Sequence, residues 1–508
     1  MADPRSTFVS ALWNHAGKIA EYMLMYLTSV LIARGLGVLE NGVFVGLFSV
    51  SQLLLVFVSF GLEVSLNKHV PQLEGENRLE RLRFILRGAL ALRVLAVIFL
   101  AAALGGSMLL FNSLIPQTLA SFIWLLLAYT GVRSIVTLLS VVLTAELRTR
   151  ATAVINVLTR MIEATVIGLM VSGGMTTTRV FVVILSTATF QLACYIVAAR
   201  ARLFGRAERV AVLPIILFGG VYWINIGVEY FLGRQGDVLF LTMLLPDSTQ
   251  ASLYDVAFAV SQLASLSMTI GLGGITLATS ARLALRGSET LERFYGFMIR
   301  MTSLLSLPLY AFVLFNAGSV LFVLYSSRYA AAAGLIQGIA GFRILCRLFG
   351  GPENAEFLLS RGQVSRLVGI GVIAAVFNVG LDVLLIPGMG AMGAVIGSGV
   401  GNLAVNLLGA LAVIRTSSVR VQWQFWLKTV LATCIASLAA GFLFPPAGYF
   451  LIGAQVLTYG ILVTILFVVI KPLTAGDMEW VSRADSRFAA PLKYFARPGP
   501  PILDVRSS

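Results

Sequence analysis

Charge is what this sequence most lacks. Only 12% of its 508 residues are Asp, Glu, Lys or Arg, where a soluble domain carries about 25%. Apolar residues make up 58% of the chain, and its mean hydropathy is +0.91. That balance excludes a soluble fold and fits a chain whose surface meets lipid. Cysteine is nearly absent too. Cys194, Cys346 and Cys434 lie far apart in apolar stretches, which excludes a disulfide framework and a zinc spacing, and they read as small buried hydrophobes. His15 and His69 are the only histidines, too few for a histidine metal centre, so no metal and no cofactor are expected. The stretches GxxxxGK[ST], GxSxG and HExxH are missing, which removes a P-loop, a hydrolase elbow and a zincin helix. Residues 1–16 lack a basic segment followed by an apolar core and a cleavage site. Phe8 and Trp13 among polar neighbours suit a short interfacial segment instead.

Long apolar runs are what the chain has in plenty. Each bilayer crossing needs about 20 apolar residues, and on that measure the sequence predicts about fourteen transmembrane helices. The first two cover 17–35 and 42–64, the last two 425–443 and 448–470. Charge tests the count. With an N-terminus inside, most of the 37 Lys and Arg fall in cytoplasmic segments, and Arg34, Arg179, Arg234 and Arg328 fall outside. Basic residues resist translocation, and a missed helix would scramble this contrast. Both termini are therefore expected in the cytoplasm. The net charge of +14 is explained by anionic lipid headgroups and needs no nucleic acid. The far-side loops are short, which argues against a membrane enzyme of glycan assembly.

The chain also repeats itself. Phe48, Val50, Ser51, Gln52, Leu53, Gly61 and Leu62 recur 210 residues later as Phe258, Val260, Ser261, Gln262, Leu263, Gly271 and Leu272. The two segments lie six helices apart, so the repeat keeps its direction in the membrane, as in transporters built from parallel repeats. The expected fold is all-α and polytopic. It has an N-lobe over 1–205, a C-lobe over 206–415, two additional helices over 416–474 and a cytoplasmic tail over 475–508.

Three stretches carry a family resemblance. Residues 33–73 hold Arg, a Leu-Gly turn, an aromatic after Gly, a Gly-Leu and a basic-Val-Pro ending. Residues 237–262 open with Asp237 before an apolar run and a later Tyr254. Residues 378–394 hold Asn378, then Leu-Ile-Pro, then Gly-Ala. Together they resemble the polysaccharide-exporting flippases of the multidrug/oligosaccharidyl-lipid/polysaccharide flippase superfamily, most closely the O-antigen or capsule repeat-unit (Wzx-like) branch. The resemblance implies two lobes about a central cavity and alternating access, driven by an ion or by membrane potential. It also implies an isoprenoid-pyrophosphate-linked oligosaccharide as substrate. The plasma (inner) membrane, membrane lipids, a polysaccharide polymerase and glycosyltransferases are the implied setting. Lipid II flippases carry a cavity cation in the first helix; here Glu21, Tyr22 and Tyr26 stand at that depth. A cation-coupled multidrug exporter of the same superfamily is the alternative.

Ionisable groups in the bilayer are costly and usually face a wet cavity or a partner. Arg343 and Arg347, one turn apart, suit pyrophosphate because guanidinium pairs bidentately with phosphate oxygens. Gly350-Gly351-Pro352 predicts a break just after them. Arg160, Arg133 and Arg93 are further substrate-binding candidates, with Tyr22, Tyr26, Asn225, Gln262, Asn402 and Asn406 for sugar contacts. Gln52, Ser59 and Glu63 are expected to line one face of the second span, and Asp255, Gln262, Ser265 and Thr269 one face of the eighth. Glu229, Asp255, Glu163 and Asp382 are candidates for ion coupling. Arg234 and Asp237 are expected to form an ion pair or gate at the outer end of the seventh span.

Overall fold

The computed structural model describes residues 4–75, 79–110, 117–146, 148–271, 279–280, 282–285, 287–444, 449–484 and 490–497. Leu272 and the side chains of Phe8, Trp13 and Thr269 fall outside the described residues. Among the described residues the only pairing outside helices is a bridge between Leu473 and Ala496.

The helices are α1 (Pro4–Ser59), α2 (Leu62–Gly75), α3 (Leu79–Leu110), α4 (Gln117–Ala145), α5 (Thr149–Met170) and α6 (Thr177–Leu203). They continue as α7 (Leu213–Leu232), α8 (Arg234–Leu244), α9 (Thr249–Gly271), α10 (Ser288–Phe315), α11 (Ala317–Leu324) and α12 (Ala333–Leu348). The series ends with α13 (Pro352–Ser360), α14 (Val364–Met389), α15 (Ala391–Thr416), α16 (Trp423–Leu443), α17 (Tyr449–Ile470) and α18 (Ala475–Ala484). Twelve helical stretches among the described residues are long and apolar enough to cross a membrane. One of them, Ala16–Ser59, runs for 44 residues. At 1.5 Å per residue that is roughly 66 Å, twice the bilayer core of about 30 Å. It breaks at Gly37, whose φ of 75° and ψ of 176° suit glycine alone, so it supplies two crossings. Counting it twice gives thirteen crossings among the described residues, one fewer than the fourteen expected from the sequence, because α9, the expected eighth span, is not apolar enough to count among the twelve. The outer faces remain apolar: Phe99 is 75% exposed and Phe442 89%, as lipid-facing side chains are.

The second expected span does not run unbroken to residue 64. It stops at Ser59, and Phe60 and Gly61 take φ of 48° and 64°. A Cβ on Gly61 would collide with the Gly219 carbonyl of α7. Glycine here allows both the left-handed turn and the close backbone approach. Glu63 consequently lies beyond the break, on α2, and Gln52, Ser59 and Glu63 do not share one continuous helix face.

The described chain gathers into two compact units, Met1–Asp255 with Asp382–Ala391 and Val256–Leu381 with Met392–Ser508. The first has a core of Leu66, Leu86, Leu138, Val142 and Tyr195, contributed by α2, α3, α4 and α6. The second centres on Leu291, Phe294, Tyr295, Phe357 and Val413 of α10, α13 and α15. There α16 and α17 meet through Ala432, Ala436 and Ala440 against Tyr459, Val463 and Phe467, a small-residue stripe that lets helices approach closely. Buried polar bonds tie this pair to α10: Ser437 Oγ donates to the Ala311 carbonyl at 3.1 Å and Tyr459 Oη to the Pro308 carbonyl at 2.5 Å. The chain then returns through α18. Its Asp477 holds Arg300 of α10 at 2.6 and 2.8 Å, and Trp480 packs on Phe294 with ring centroids 5.3 Å apart.

Candidate functional site

The five arginines predicted to bind substrate fall into two groups. Arg93, 1% exposed, bonds Glu63 together with the backbone carbonyls of Ser59 and Ser134 at 3.1 and 3.2 Å. Arg160 donates to both oxygens of Glu163 at 2.9 Å, and Thr187 Oγ1 donates to the same carboxylate at 3.3 Å. Arg347, 4% exposed, lies 3.3 Å from Glu353 and donates to Thr302 and, at 3.0 Å, to Ser303. The predicted break explains this pair. Helix α12 ends at Leu348, Gly350 turns with φ 95°, and α13 starts at Pro352, which turns Glu353 back onto Arg347. These three cations are matched by acids.

The other two are not. Arg133 on α4 donates to the neutral Gln191 amide at 2.8 Å. Arg343 on α12 is half-buried, with its guanidinium 5.7 Å from the Phe258 ring centre. Neither forms an ion pair among the described residues. Cation–π contact leaves the guanidinium edge available for further hydrogen bonds.

The acids also find different partners from those expected. Arg234 pairs with Asp255 at 3.3 Å, not with Asp237. Helix α7 ends at Gly233 with an extended ψ of 171°, and α8 restarts at Arg234. The restart turns the Arg234 side chain toward the second turn of α9. Asp237, 0% exposed, accepts from the Tyr254 hydroxyl and lies beside Asp382, also 0% exposed. Two carboxyl groups in such contact can hold one proton between them or a cation together. Asn378 is buried one turn before Asp382 on α14. Glu229 is exposed and accepts from Asn225 at 2.7 Å.

The remaining candidates are mostly satisfied locally. Asn402 and Asn406 donate to backbone carbonyls four residues earlier at 2.8 Å. Tyr22 and Gln262 are exposed, and Tyr26 is half-buried.

Sequence reasoning missed a cavity of ≈ 410 Å³ in the first unit. Its walls come from the first arm of α1 with α2, α4 and α5, and carry Lys18, Glu21, Glu63, Asn67, Ser140 and Thr144. A signal for it was present. Lys18 and Glu21, Glu63 and Asn67, and Ser140 and Thr144 are pairs at helical spacings of three or four.

No family model matches the sequence, and no curated protein does. Solved structures do match. The lipid II flippase MurJ in an inward closed conformation superposes with a TM-score of 0.71 at 12% identity, covering 90% of this chain and 99% of that one. An inward-facing multidrug resistance MATE family transporter of the MOP superfamily gives 0.64 at 16% identity, over 77% and 93%. The outward-facing conformation of such a MATE transporter gives 0.56 at 14% identity, over 80% and 94%. These matched proteins are transporters and a flippase rather than enzymes. The chain thus has the fold of the multidrug/oligosaccharidyl-lipid/polysaccharide flippase superfamily, the one its sequence motifs resemble.

Proposed function

We propose that the chain is a secondary flippase that moves an isoprenoid-pyrophosphate-linked oligosaccharide from the cytoplasmic to the outer leaflet by alternating access. The observation that carries this reading is the pair Arg133 and Arg343, membrane-helix cations without a carboxylate partner among the described residues. A cation left unmatched in the bilayer is costly, and an arriving phosphate group would repay that cost with charge-assisted, bidentate bonds. The fold shared with a lipid II flippase supports a lipid-linked cargo. In this reading both termini lie in the cytoplasm of a plasma-membrane protein, with polymerase and glycosyltransferases as pathway partners. The carboxyl pair Asp237 and Asp382 is the coupling site for H⁺ or a monovalent cation.

The fold shared with a multidrug transporter favours a second reading, a cation-coupled multidrug exporter. The carboxyl pair serves either reading, and the unmatched arginines separate them. A lipophilic cationic drug would be repelled by Arg133 and Arg343, whereas a pyrophosphate would be held. The test is export in cells whose own flippase is deleted. Surface polysaccharide should be restored by the parent chain and lost with Arg133→Ala and Arg343→Ala, while drug susceptibility stays unchanged. Restored drug resistance without polysaccharide would replace the first reading with the second.

A further inference from the structure

The cavity of the first unit has a chemistry of its own. Glu63 uses Oε1 on Arg93 and on Thr137, whose hydroxyl lies at 3.3 Å, while its Oε2 is buried with no hydrogen-bond partner among the described residues. A buried carboxylate oxygen left unbonded calls for a donor. Glu21 accepts from Asn156 Nδ2 at 3.0 Å through Oε2 alone. Asn156 is held in turn, because its Oδ1 accepts from Gln191 at 2.9 Å and from Tyr195 at 2.7 Å. Ser140 and Thr144 spend their hydroxyl protons on the Thr137 and Ser140 carbonyls, both at 2.8 Å. Their oxygens remain as acceptors. At the rim, Lys18 and Asn67 are exposed and have no hydrogen-bond partner among the described residues.

The cavity therefore offers acceptors in its wall and donors at its mouth. Its two carboxylates are balanced by Arg93 and Lys18, so it favours neither an anion nor a metal cation. Among the described residues no aromatic side chain lines it, which disfavours planar lipophilic drugs. Its volume lies within the range of about 300–1,000 Å³ typical of small-molecule sites. A neutral polyol, each hydroxyl both donating and accepting, matches every one of these features.

We propose that this cavity is a subsite for a neutral sugar residue of the transported glycan, held by Glu21, Ser140 and Thr144 and closed over by Asn67 and Lys18. The proposal rests on the flippase reading above and adds a saccharide-binding site within the first unit.

The test uses the full chain in nanodiscs and saturation-transfer NMR with free glucose, galactose and N-acetylglucosamine as probes. At least one should receive saturation from the parent protein. Thr144→Val and Glu21→Gln should each weaken it about tenfold, the worth of one hydrogen bond to a charged or well-oriented group. The exposed Glu289→Gln should leave it unchanged. Tetraphenylphosphonium should not displace the sugar. Silence from all three sugars overturns the proposal. So does a signal that survives both variants in monodisperse protein, or displacement by the lipophilic cation. Thr144→Val preserves shape and volume, so it reports even where Glu21→Gln fails to fold. Polysaccharide export by the same variants separates the two readings. Full export with both pocket variants removes the subsite and leaves the flippase reading intact. A parent chain that binds sugar yet restores no polysaccharide contradicts the flippase reading instead.

Discussion

The cavity wall of the first unit and the core of the second treat their buried polar groups differently. At the cavity wall of the first, a chain of hydrogen bonds ends on an open site: Tyr195 and Gln191 lead through Asn156 to Glu21. In the second such chains close on themselves. Arg347 is enclosed by Glu353, Thr302 and Ser303. Arg300 is clamped by Asp477 and Gln422, and Asn316 by Ser437 and Gln455. Closed networks hold helices together, while open ones are ready to receive something. Arg343 is the exception in the second unit, a cation with an aromatic neighbour and no acid partner among the described residues.

The largest effect should come from opening a closed network. Glu353→Gln leaves Arg347 buried without its counter-charge, a loss of about 3–5 kcal/mol. Thermal unfolding in detergent should fall sharply, and expression with it. The double variant Arg347→Met/Glu353→Leu should recover most of that stability, since apolar replacements of a buried pair are often neutral. A well-folded Arg347→Ala protein that had lost export would instead give Arg347 the substrate role its sequence position suggested.

Next comes the exception itself. Arg343→Ala should keep normal stability and lower export at least about tenfold, because a lost charge-assisted bond to phosphate is worth roughly 1.5–3 kcal/mol. Arg343→Lys should retain more export, keeping charge without the bidentate fork. Equal thermal stability and equal export for the Ala variant would place Arg343 with the structural residues.

The carboxyl pair gives an effect of another kind. Asp237→Asn and Asp382→Asn should fold and bind substrate but lose the response of transport to an imposed H⁺ or Na⁺ gradient. Sealed vesicles under each gradient read this directly. An unaltered response in both amide variants would remove the pair from coupling. The smallest effect belongs to Glu229→Gln. Glu229 is exposed and bonded only to Asn225, so stability should move by no more than about 0.5 kcal/mol and gradient response should persist.

Much of this was legible in the sequence wherever a local rule decided it. Apolar runs gave the spans, Gly350-Gly351-Pro352 gave the break between α12 and α13, and a spacing of three gave the Arg160–Glu163 pair. What escaped was the choice of distant partners. Arg93 reaches Glu63 across 30 residues, and Asp237 reaches Tyr254 and Asp382. Helical periodicity tells which residues share a face, but not which helix that face meets. The same limit hid the role of Arg347. One turn from Arg343 and expected to meet pyrophosphate, it is claimed by an acid that only the bend brings within reach. The cavity was half visible: Glu21 and Glu63 drew attention as intramembrane acids, whereas Ser140 and Thr144 look like ordinary helix-packing hydroxyls until α2 and α5 surround them.

The most direct test is flipping by the purified chain in proteoliposomes, with a fluorescent isoprenoid-pyrophosphate-linked oligosaccharide loaded in one leaflet. Transfer to the other leaflet should be accelerated by the parent protein, stimulated by an ion gradient and largely lost with Arg343→Ala. Lipid movement no faster than in empty liposomes, with gradient-driven uptake of a lipophilic cation in its place, would contradict the account.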